Sequence, residues 1–382
     1  MPGSETLDCV ARAEIVVDLD AVRDNVALLR RRVDRPLMAI VKADAYGHGL
    51  LPCAKACLAG GADMLGVAIL DEALQLRAHG ITAPILAWLA VPGERVAEAV
   101  RAGVEVSVNA TWALQELVAA GRESGRIPRV HLKFDSGLSR GGATEADWPT
   151  LVQAALRAEA DGAVQPVALW SHLAYADEPG HPTIDRQLHL FVAAVEFAER
   201  AGLQSMTKHL ANSAATLTRP DTWLDMVRPG IACYGLDPLG GDPAAHGLRP
   251  AMTVRTEVAL VKRVPPGSGV SYGHSYVTDR ETGLALVPIG YAEGIPRNAT
   301  NVGPVWLGGA RRTISGRVCM DQFVVDIGDD PVRAGDEVLV WGPGTQGEPT
   351  AQDWADAVDT IHYELVTRIG GRLTRRYVGD GR

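Results

Sequence analysis

The sequence predicts a two-domain chain of α/β + β class: an N-terminal (β/α)8 TIM-type barrel followed by a mostly β C-terminal domain. Three observations predict it. Apolar runs of strand length alternate with amphipathic helical stretches eight times before residue 247, the repeat such a barrel requires. No Gly-rich dinucleotide fingerprint follows the first strand, as a doubly wound open sheet would carry. Near Gly247-Leu248-Arg249-Pro250 the pattern changes to short Val-rich segments divided by Gly and Pro, the mark of an all-β region. With 382 residues the chain exceeds what one core ordinarily fills, so we expect a barrel over 1–247 and a β domain over 248–382.

The elements follow in order. Val22, Val26, Leu29 and Val33 fall at three- and four-residue steps behind Asp20, a candidate cap, which reads as a helix. Arg30-Arg31-Arg32 closes it, where positive charge suits the negative end of a helix dipole. The run 37–41 is too short for a helix and is bounded by Pro36, so it reads as a strand buried on both faces. Further strands are expected at 64–70, 84–88, 104–108, 129–134, 166–171, 206–210 and 224–228, with helices between them such as 71–79, 110–120 and 186–201. The β domain should use 251–264, 283–289, 303–307, 323–327 and 337–341. One helix should interrupt it, capped by Thr350, with Trp354, Val358, Ile361 and Leu365 on one face.

Composition narrows the function. The chain is 47% hydrophobic and 22% charged, with a net charge of −9, so a nucleic-acid backbone is not the expected partner. Of the five cysteines, Cys9, Cys53, Cys57, Cys233 and Cys319, none has disulfide or zinc-ribbon spacing. Cys53 and Cys57 would share one helical face as small buried side chains. An odd count without a framework suits a reducing compartment. No signal peptide and no span of about 18 apolar residues is read, so the expected location is cytoplasmic, away from membranes.

Barrel enzymes build their sites where strands end. Here the first strand ends in Lys42, the fifth runs through Lys133 toward Arg140, and the sixth ends at His172. The seventh carries His209 with Asn212 and Ser213 beyond it, and the eighth ends in Arg228-Pro229-Gly230. A lone lysine at a strand end is usually a solvated or salt-bridged residue. Here Ala39-Ile40-Val41 would desolvate the amine and lower its pKa, which lets a lysine form a Schiff base. Tyr46 and a loose Gly47-His48-Gly49 follow at once, and Gly230-Ile231 could offer backbone N–H groups to a phosphate. A lysine imine beside a phosphate cradle points to pyridoxal phosphate. His172 and His209 read singly as structural histidines. No metal is expected, because no His-Glu-x-x-His or comparable helical spacing occurs. Arg228, facing a pyridine nitrogen, would keep that nitrogen unprotonated. Gly269-Val270-Ser271-Tyr272-Gly273 fits G-x-S-x-G but lies in Gly/Pro-rich β territory, outside the strand-to-helix context a nucleophile elbow needs.

Taken together, the motifs resemble those of alanine racemases. Ala39-Ile40-Val41-Lys42-Ala43-Asp44-Ala45-Tyr46-Gly47-His48-Gly49 is similar to that family's cofactor-lysine signature. Val270-Ser271-Tyr272-Gly273-His274, Ile289-Gly290-Tyr291-Ala292-Glu293-Gly294, Gly316-Arg317-Val318-Cys319-Met320-Asp321-Gln322 and Ile361-His362-Tyr363-Glu364 are similar to its later motifs, in the same order. The resemblance implies a homodimer racemising alanine with pyridoxal 5'-phosphate and making D-alanine, with cell-wall precursor supply, catabolism or specialised biosynthesis all open as the setting. It implies Lys42 as the cofactor lysine and the base for D-alanine, with Tyr272 of the second subunit acting on the opposite face for L-alanine. An ordinary tyrosine is a poor base, with a pKa of about 10, and the resemblance implies help through His172 and Arg228, with His209 behind Arg228. It implies Arg140 on the cofactor's phenolic oxygen and the substrate carboxylate, supported by Lys133, often carbamylated in the family. It implies phosphate contacts from Tyr46, Ser213, Gly230, Ile231 and Tyr363, and the Met320 N–H on the carboxylate. Asp177, Tyr291, Arg297, Arg317 and Ile361 match an access corridor narrow enough to favour a small amino acid.

Two departures are visible: Asp44 where many members carry Asn, and Leu138-Ser139-Arg140-Gly141-Gly142 in place of the commonest Met-Gly-Arg-Leu-Gly. Three other readings compete. A non-catalytic cofactor carrier on the same barrel would have no use for Tyr272 and a whole β domain. A barrel-type decarboxylase would carry a C-terminal cysteine-and-aspartate motif not found here. A racemase of broader range, serine included, differs only in the corridor.

Overall fold

A computed structural model describes residues 12–381. Cys9 and most of the N-terminal stretch read for a signal peptide lie outside the described residues. The chain divides into two compact units, one spanning Leu19–Arg249, the other joining the residues up to Asp18 with Pro250–Gly379.

The chain opens on β1 (Ala13–Asp18), followed by the helix Leu19–Val33, which buries Val22, Val26, Leu29 and Val33 on the expected face. Asp20 lies inside its first turn, one position beyond the helix start, and accepts from Arg23 at 2.9 Å rather than capping. Seven parallel strands then pair in chain order: β2 (Met38–Ile40), β3 (Met64–Val67), β4 (Ile85–Ala87), β5 (Glu105–Val108), β6 (Arg129–Lys133), β7 (Gln165–Trp170) and β8 (Thr207–His209). The eighth strand is the short stretch around Met226–Val227, bridged in parallel to His209 on one side and Leu37 on the other. Met38 N–H donates to Val227 O at 2.9 Å and Ile40 N–H to Pro229 O at 3.0 Å, which closes the barrel. Leu224 in the left-handed region and Pro229, which lacks an N–H, keep this strand short. β2, β3 and β4 are apolar and buried throughout because helices cover the outside and side chains fill the inside.

The segment after β2 is not loose. Ala43, Asp44, Ala45 and Tyr46 all have φ between 53° and 55°, a single left-handed turn that costs about 1–2 kcal/mol per residue. It is held from outside: Glu72 Oε1 accepts from Ala43 N–H at 2.6 Å, and Asp44 Oδ1 accepts from Leu50 N–H at 2.7 Å. His48, expected in flexible backbone, is fully buried and stacks on Tyr234 at 4.6 Å. Strain kept in place by its surroundings is what a site-forming segment shows. Asp44 is therefore a structural acceptor for the next helix, Leu50–Ala59, which buries Cys53 and Cys57 on one face as expected.

The β unit contains β9 (Met252–Glu257), β10 (Leu260–Val264), β11 (Gly269–Val270), β12 (Tyr276–Val277), β13 (Thr282–Val287), β14 (Pro304–Leu307), β15 (Ala310–Thr313), β16 (Phe323–Gly328), β17 (Glu337–Trp341) and β18 (Thr374–Val378). Its largest sheet runs β15-β14-β17-β9-β1-β18. Here the expected barrel span 1–247 needs correction at its start. β1 alternates buried and half-buried residues and sits between β9, antiparallel, and β18, parallel, so it belongs to the β unit. The expected C-terminal helix is also two helices, Ala351–Ala357 and His362–Arg368. Thr350 caps the first, accepting from Asp353 N–H at 3.1 Å. Asp359 turns left-handed at φ 55° and Thr360 N–H donates back to Ala355 O at 3.0 Å, a closing pattern that ends the helix. Ile361 is consequently 59% exposed and not on a buried face.

Candidate active site

The C-terminal ends of the barrel strands gather the expected cations. Lys42 follows β2, with its Nζ 5.8 Å from the Tyr46 ring and 5.7 Å from the Trp88 ring. Burial, and then the charge of Arg140, hold its pKa below the ordinary lysine value against the pull of Glu72. Lys133 ends β6, its Nζ 4.5 Å from the Trp170 ring. Burial and then the neighbouring guanidiniums of Arg140 and Arg228 bring its pKa to about 8, so a neutral amine, the form that carbamylation requires, is available near neutral pH. Arg140 is exposed on a loop that Asp135 Oδ1 organises by accepting from Gly137, Leu138 and Ser139 N–H at 3.0–3.1 Å. Ser139 takes φ 56° there, the region a glycine would occupy without strain, so the departure before Arg140 leaves the loop formed.

Arg228 is 5% exposed. Its Nη1 donates to His209 Nδ1 at 3.1 Å, and Nη2 donates to Ser171 O at 2.8 Å and Leu210 O at 3.1 Å and lies 3.4 Å from His172 Nδ1. Burial pushes the guanidinium down to about 9, which leaves it charged at neutral pH. Burial first, and then Arg228 among the surrounding cations, hold both His172 and His209 well below the ordinary histidine range, so both are neutral. Ser213 Oγ accepts from Gly230 N–H at 2.7 Å and Ala232 N–H at 3.3 Å, joining the turns after the last two strands. Gly230 is required there because a Cβ would run into Tyr46 Oη. Ile231 opens the short 3-10 turn that follows. Asn212 is a helix cap, accepting from Ala215 N–H at 3.1 Å. Asp177 is exposed on the loop after β7.

Within the β unit a second constellation forms. Ser271 Oγ donates to Arg317 O at 2.7 Å, and Tyr291 and Ala292 N–H donate to Cys319 O and Met320 O at 3.1 and 2.9 Å. Three turns carrying Tyr272, Arg317, Met320 and Tyr291 are thereby tied together. Tyr272 is 70% exposed and Met320 53%. Arg297 is exposed at the start of a 3-10 turn, and Tyr363 lies half-buried in the first turn of His362–Arg368. The G-x-S-x-G match spans β11 and a 3-10 turn, with no helix of the kind an elbow needs.

The structure also shows polar residues that sequence reading passed over. Glu105 and His131 are buried inside the barrel, and Trp170 lies between Lys133 and His209 in register. The signal was the two-residue period: His131 precedes Lys133 by two and so shares its face.

A barrel with a desolvated lysine among further cations at its strand ends, together with a separate mostly β unit, is the plan of a class of two-domain barrel enzymes. Residues 17–238 match the model of the alanine racemase N-terminal domain and 251–377 that of the C-terminal domain. A protein described as alanine racemase from Salinispora arenicola is 59% identical over 370 residues, covering 97% of this chain and 99% of that protein. The alanine racemase structure from D-cycloserine-producing Streptomyces lavendulae superposes with a TM-score of 0.95 at 54% identity, covering 97% of both chains. The Bartonella henselae alanine racemase, described with covalently bound pyridoxal phosphate, gives 0.87 at 28% identity over 96% of this chain and all 100% of its own. The chain belongs to the alanine racemase family.

The two neutral histidines make a stability prediction. Their folded pKa values lie below the unfolded value of about 6.5, so above that pH neither state binds the proton. Below it the unfolded chain gains protons that the folded one refuses, and stability falls. Two such groups should cost about 3 kcal/mol between pH 7.5 and 5.5. Denaturant unfolding of the ligand-stripped protein at the two values checks this. Constant stability would show that His172 and His209 take up protons in the folded chain as readily as in the unfolded one.

Proposed function

We propose that this protein is an alanine racemase that interconverts L- and D-alanine by two-base proton transfer, with pyridoxal 5'-phosphate carried on Lys42 and two copies sharing their sites. The observation that carries this reading is the placement of a desolvated Lys42 beside Tyr46, Gly230 and Ser213 and among Arg140, Lys133 and Arg228. The residues fit the cofactor: four cations suit a doubly charged phosphate and a phenolate, and the absent side chain at Gly230 lets the Tyr46 hydroxyl approach the turn whose N–H meets Ser213 Oγ. When bound, pyridoxal phosphate supplies an electron sink that makes the substrate α-proton removable.

The chain's own residues then divide the work. Lys42 Nζ, its pKa lowered by desolvation, takes or returns the α-proton on one face. Tyr272 of the second copy does so on the other, and two bases on opposite faces are what inversion requires. Arg228 presents a fixed charge to the ring nitrogen, and Arg140 receives the substrate carboxylate, with the Met320 N–H assisting and Lys133 supporting Arg140. Tyr46, Ser213, Gly230, Ile231 and Tyr363 hold the phosphate. Tyr291, Arg297, Arg317 and Ile361 with Asp177 limit the size of what enters. Support for a dimer comes from exposed apolar side chains: Ile69, Leu89, Val91 and Trp112 on the barrel unit, and Tyr272, Val277, Met320 and Ile361 on the β unit. Cys53, Cys57, Cys233 and Cys319 form no disulfide with one another, which suits the cytoplasm, and no helix among the described residues is long and apolar enough to cross a membrane.

A chiral assay of the purified protein with pyridoxal phosphate, given L-alanine and L-serine separately, tests the reading. Rapid D-alanine with little D-serine is expected. D-serine at a comparable rate would favour a broader racemase. Bound cofactor without either product would leave a carrier or decarboxylase.

A further inference from the structure

Barrel interiors are usually filled by branched apolar side chains, yet below Arg228 this one holds a line of polar groups. Glu105, His131 and His209 are 6%, 3% and 0% exposed. Glu105 Oε2 lies 2.6 Å from His131 Nε2, His131 Nδ1 lies 3.0 Å from His209 Nε2, and His209 Nδ1 accepts from Arg228 at 3.1 Å. At the other end Arg129 Nε, half exposed, donates to Glu105 Oε1 at 2.7 Å. The line therefore runs from the solvent side of β6 through the barrel interior to the site.

Its ends dictate every proton between them. A guanidinium only donates and a carboxylate only accepts. His209 Nδ1 must therefore be bare and its Nε2 must carry the proton. His131 Nδ1 accepts that proton's hydrogen bond, so His131 carries its own on Nε2 and gives it to Glu105. A doubly protonated His131 would leave His209 with no proton at all. The carboxylate is pushed up by burial, but hydrogen bonds with His131 and Arg129 more than offset this and hold it below the usual range.

Among the described residues Arg228 has no carboxylate against it, and a buried charge without a counter-ion is costly. Glu105 is the nearest anion in its hydrogen-bonded line, and two imidazoles polarised in one direction carry its effect. Trp170 fixes the geometry laterally: its ring stacks on His209 at 5.7 Å, lies 5.0 Å from the Arg228 guanidinium, and its Nε1 donates to Ser107 Oγ at 2.9 Å.

We propose that Glu105 and His131 are positioning residues that act on Arg228 through His209, fixing the orientation of its guanidinium and sustaining its charge at the barrel mouth. The consequence for turnover rests on the reading above, in which Arg228 meets the cofactor's ring nitrogen. The proton pattern does not.

The test uses the full-length protein, with and without pyridoxal phosphate, labelled with 15N at histidine. Both imidazoles should carry the proton on Nε2, and His209 should fail to titrate between about pH 6 and 8. Glu105→Gln, which keeps the shape and removes the charge, should displace both sets of 15N signals. It should also lower kcat about tenfold while leaving KM for alanine within about twofold. Glu105→Asp should recover part of both. Should Glu105→Gln fail to fold, His131→Gln replaces it, with the same expected kcat loss and displaced His209 signals. Nδ1 protonation of either imidazole, or free titration of His209, in the unaltered protein overturns the relay. So does wild-type kcat in a folded Glu105→Gln variant, or equal losses in Gln and Asp variants that track melting temperature. If the unaltered protein does not racemise alanine, the functional reading fails, and the 15N pattern still decides the relay.

Discussion

Lys42→Ala is expected to abolish the absorption band of protein-linked pyridoxal phosphate and to lower alanine racemisation by at least about 10³-fold. The expectation follows from position. Lys42 ends the first barrel strand, and the left-handed turn behind it is fixed by Glu72 and Asp44, so the amine is delivered by backbone that cannot drift. Alanine removes the nitrogen and a desolvated positive charge, not a packing element. The variant should therefore fold and still hold the cofactor reversibly through Tyr46, Ser213 and Gly230. That separates chemistry from stability: circular dichroism and melting should match the unaltered protein while turnover vanishes. A small primary amine in the buffer should restore part of the activity, because the missing group is a base of that kind. Retained turnover, with or without amine, would remove Lys42 from the reaction.

Much of this site was legible because parallel barrel strands announce themselves as short apolar runs and because functional groups collect where those runs stop. That rule singles out Lys42, Lys133, His172, His209 and Arg228, which the structure places at one end of the barrel. Glu105 and His131 were not, because they lie inside β5 and β6 and not at their ends. A polar residue within an apolar strand reads as an ordinary interruption until its partner on the next strand is known. The pairing of β1 with β9 and β18 was invisible for a related reason: strand partners more than 200 residues apart leave no local trace. At two turns the backbone departs from what local chemistry suggests. Ala43-Asp44-Ala45-Tyr46 has the composition of an ordinary helix and instead coils left-handed, because tertiary hydrogen bonds outweigh backbone preference. The helical period across 354–365 continued through Asp359, where the backbone reverses.

Tyr272→Phe should leave cofactor binding intact and block proton removal from L-alanine, lowering racemisation by about 10²–10⁴-fold from either enantiomer, because the equilibrium between them is fixed. The substitution deletes one oxygen from a residue 70% exposed within its own chain, so the fold should not register it. Exchange of the α-proton of D-alanine with solvent deuterium should persist, since Lys42 serves that face alone. This asymmetry, D-alanine exchanging its α-proton while L-alanine does not, distinguishes a two-base site from one in which Lys42 works on both faces, where Tyr272→Phe would leave the two enantiomers exchanging alike. The exposure of Tyr272 also makes the sharing of sites testable. In a mixture of Lys42→Ala and Tyr272→Phe subunits, half of the sites in each mixed dimer would combine an intact Lys42 with an intact Tyr272 from the other copy. Activity should return toward one quarter of the unaltered level, about half the dimers being mixed and one site in each complete. If subunit exchange is proven by differential labelling and no activity returns, Tyr272 does not serve the other copy's lysine. The second base must then be sought on the barrel itself, where His172, neutral and 3.4 Å from Arg228, is the group to replace next.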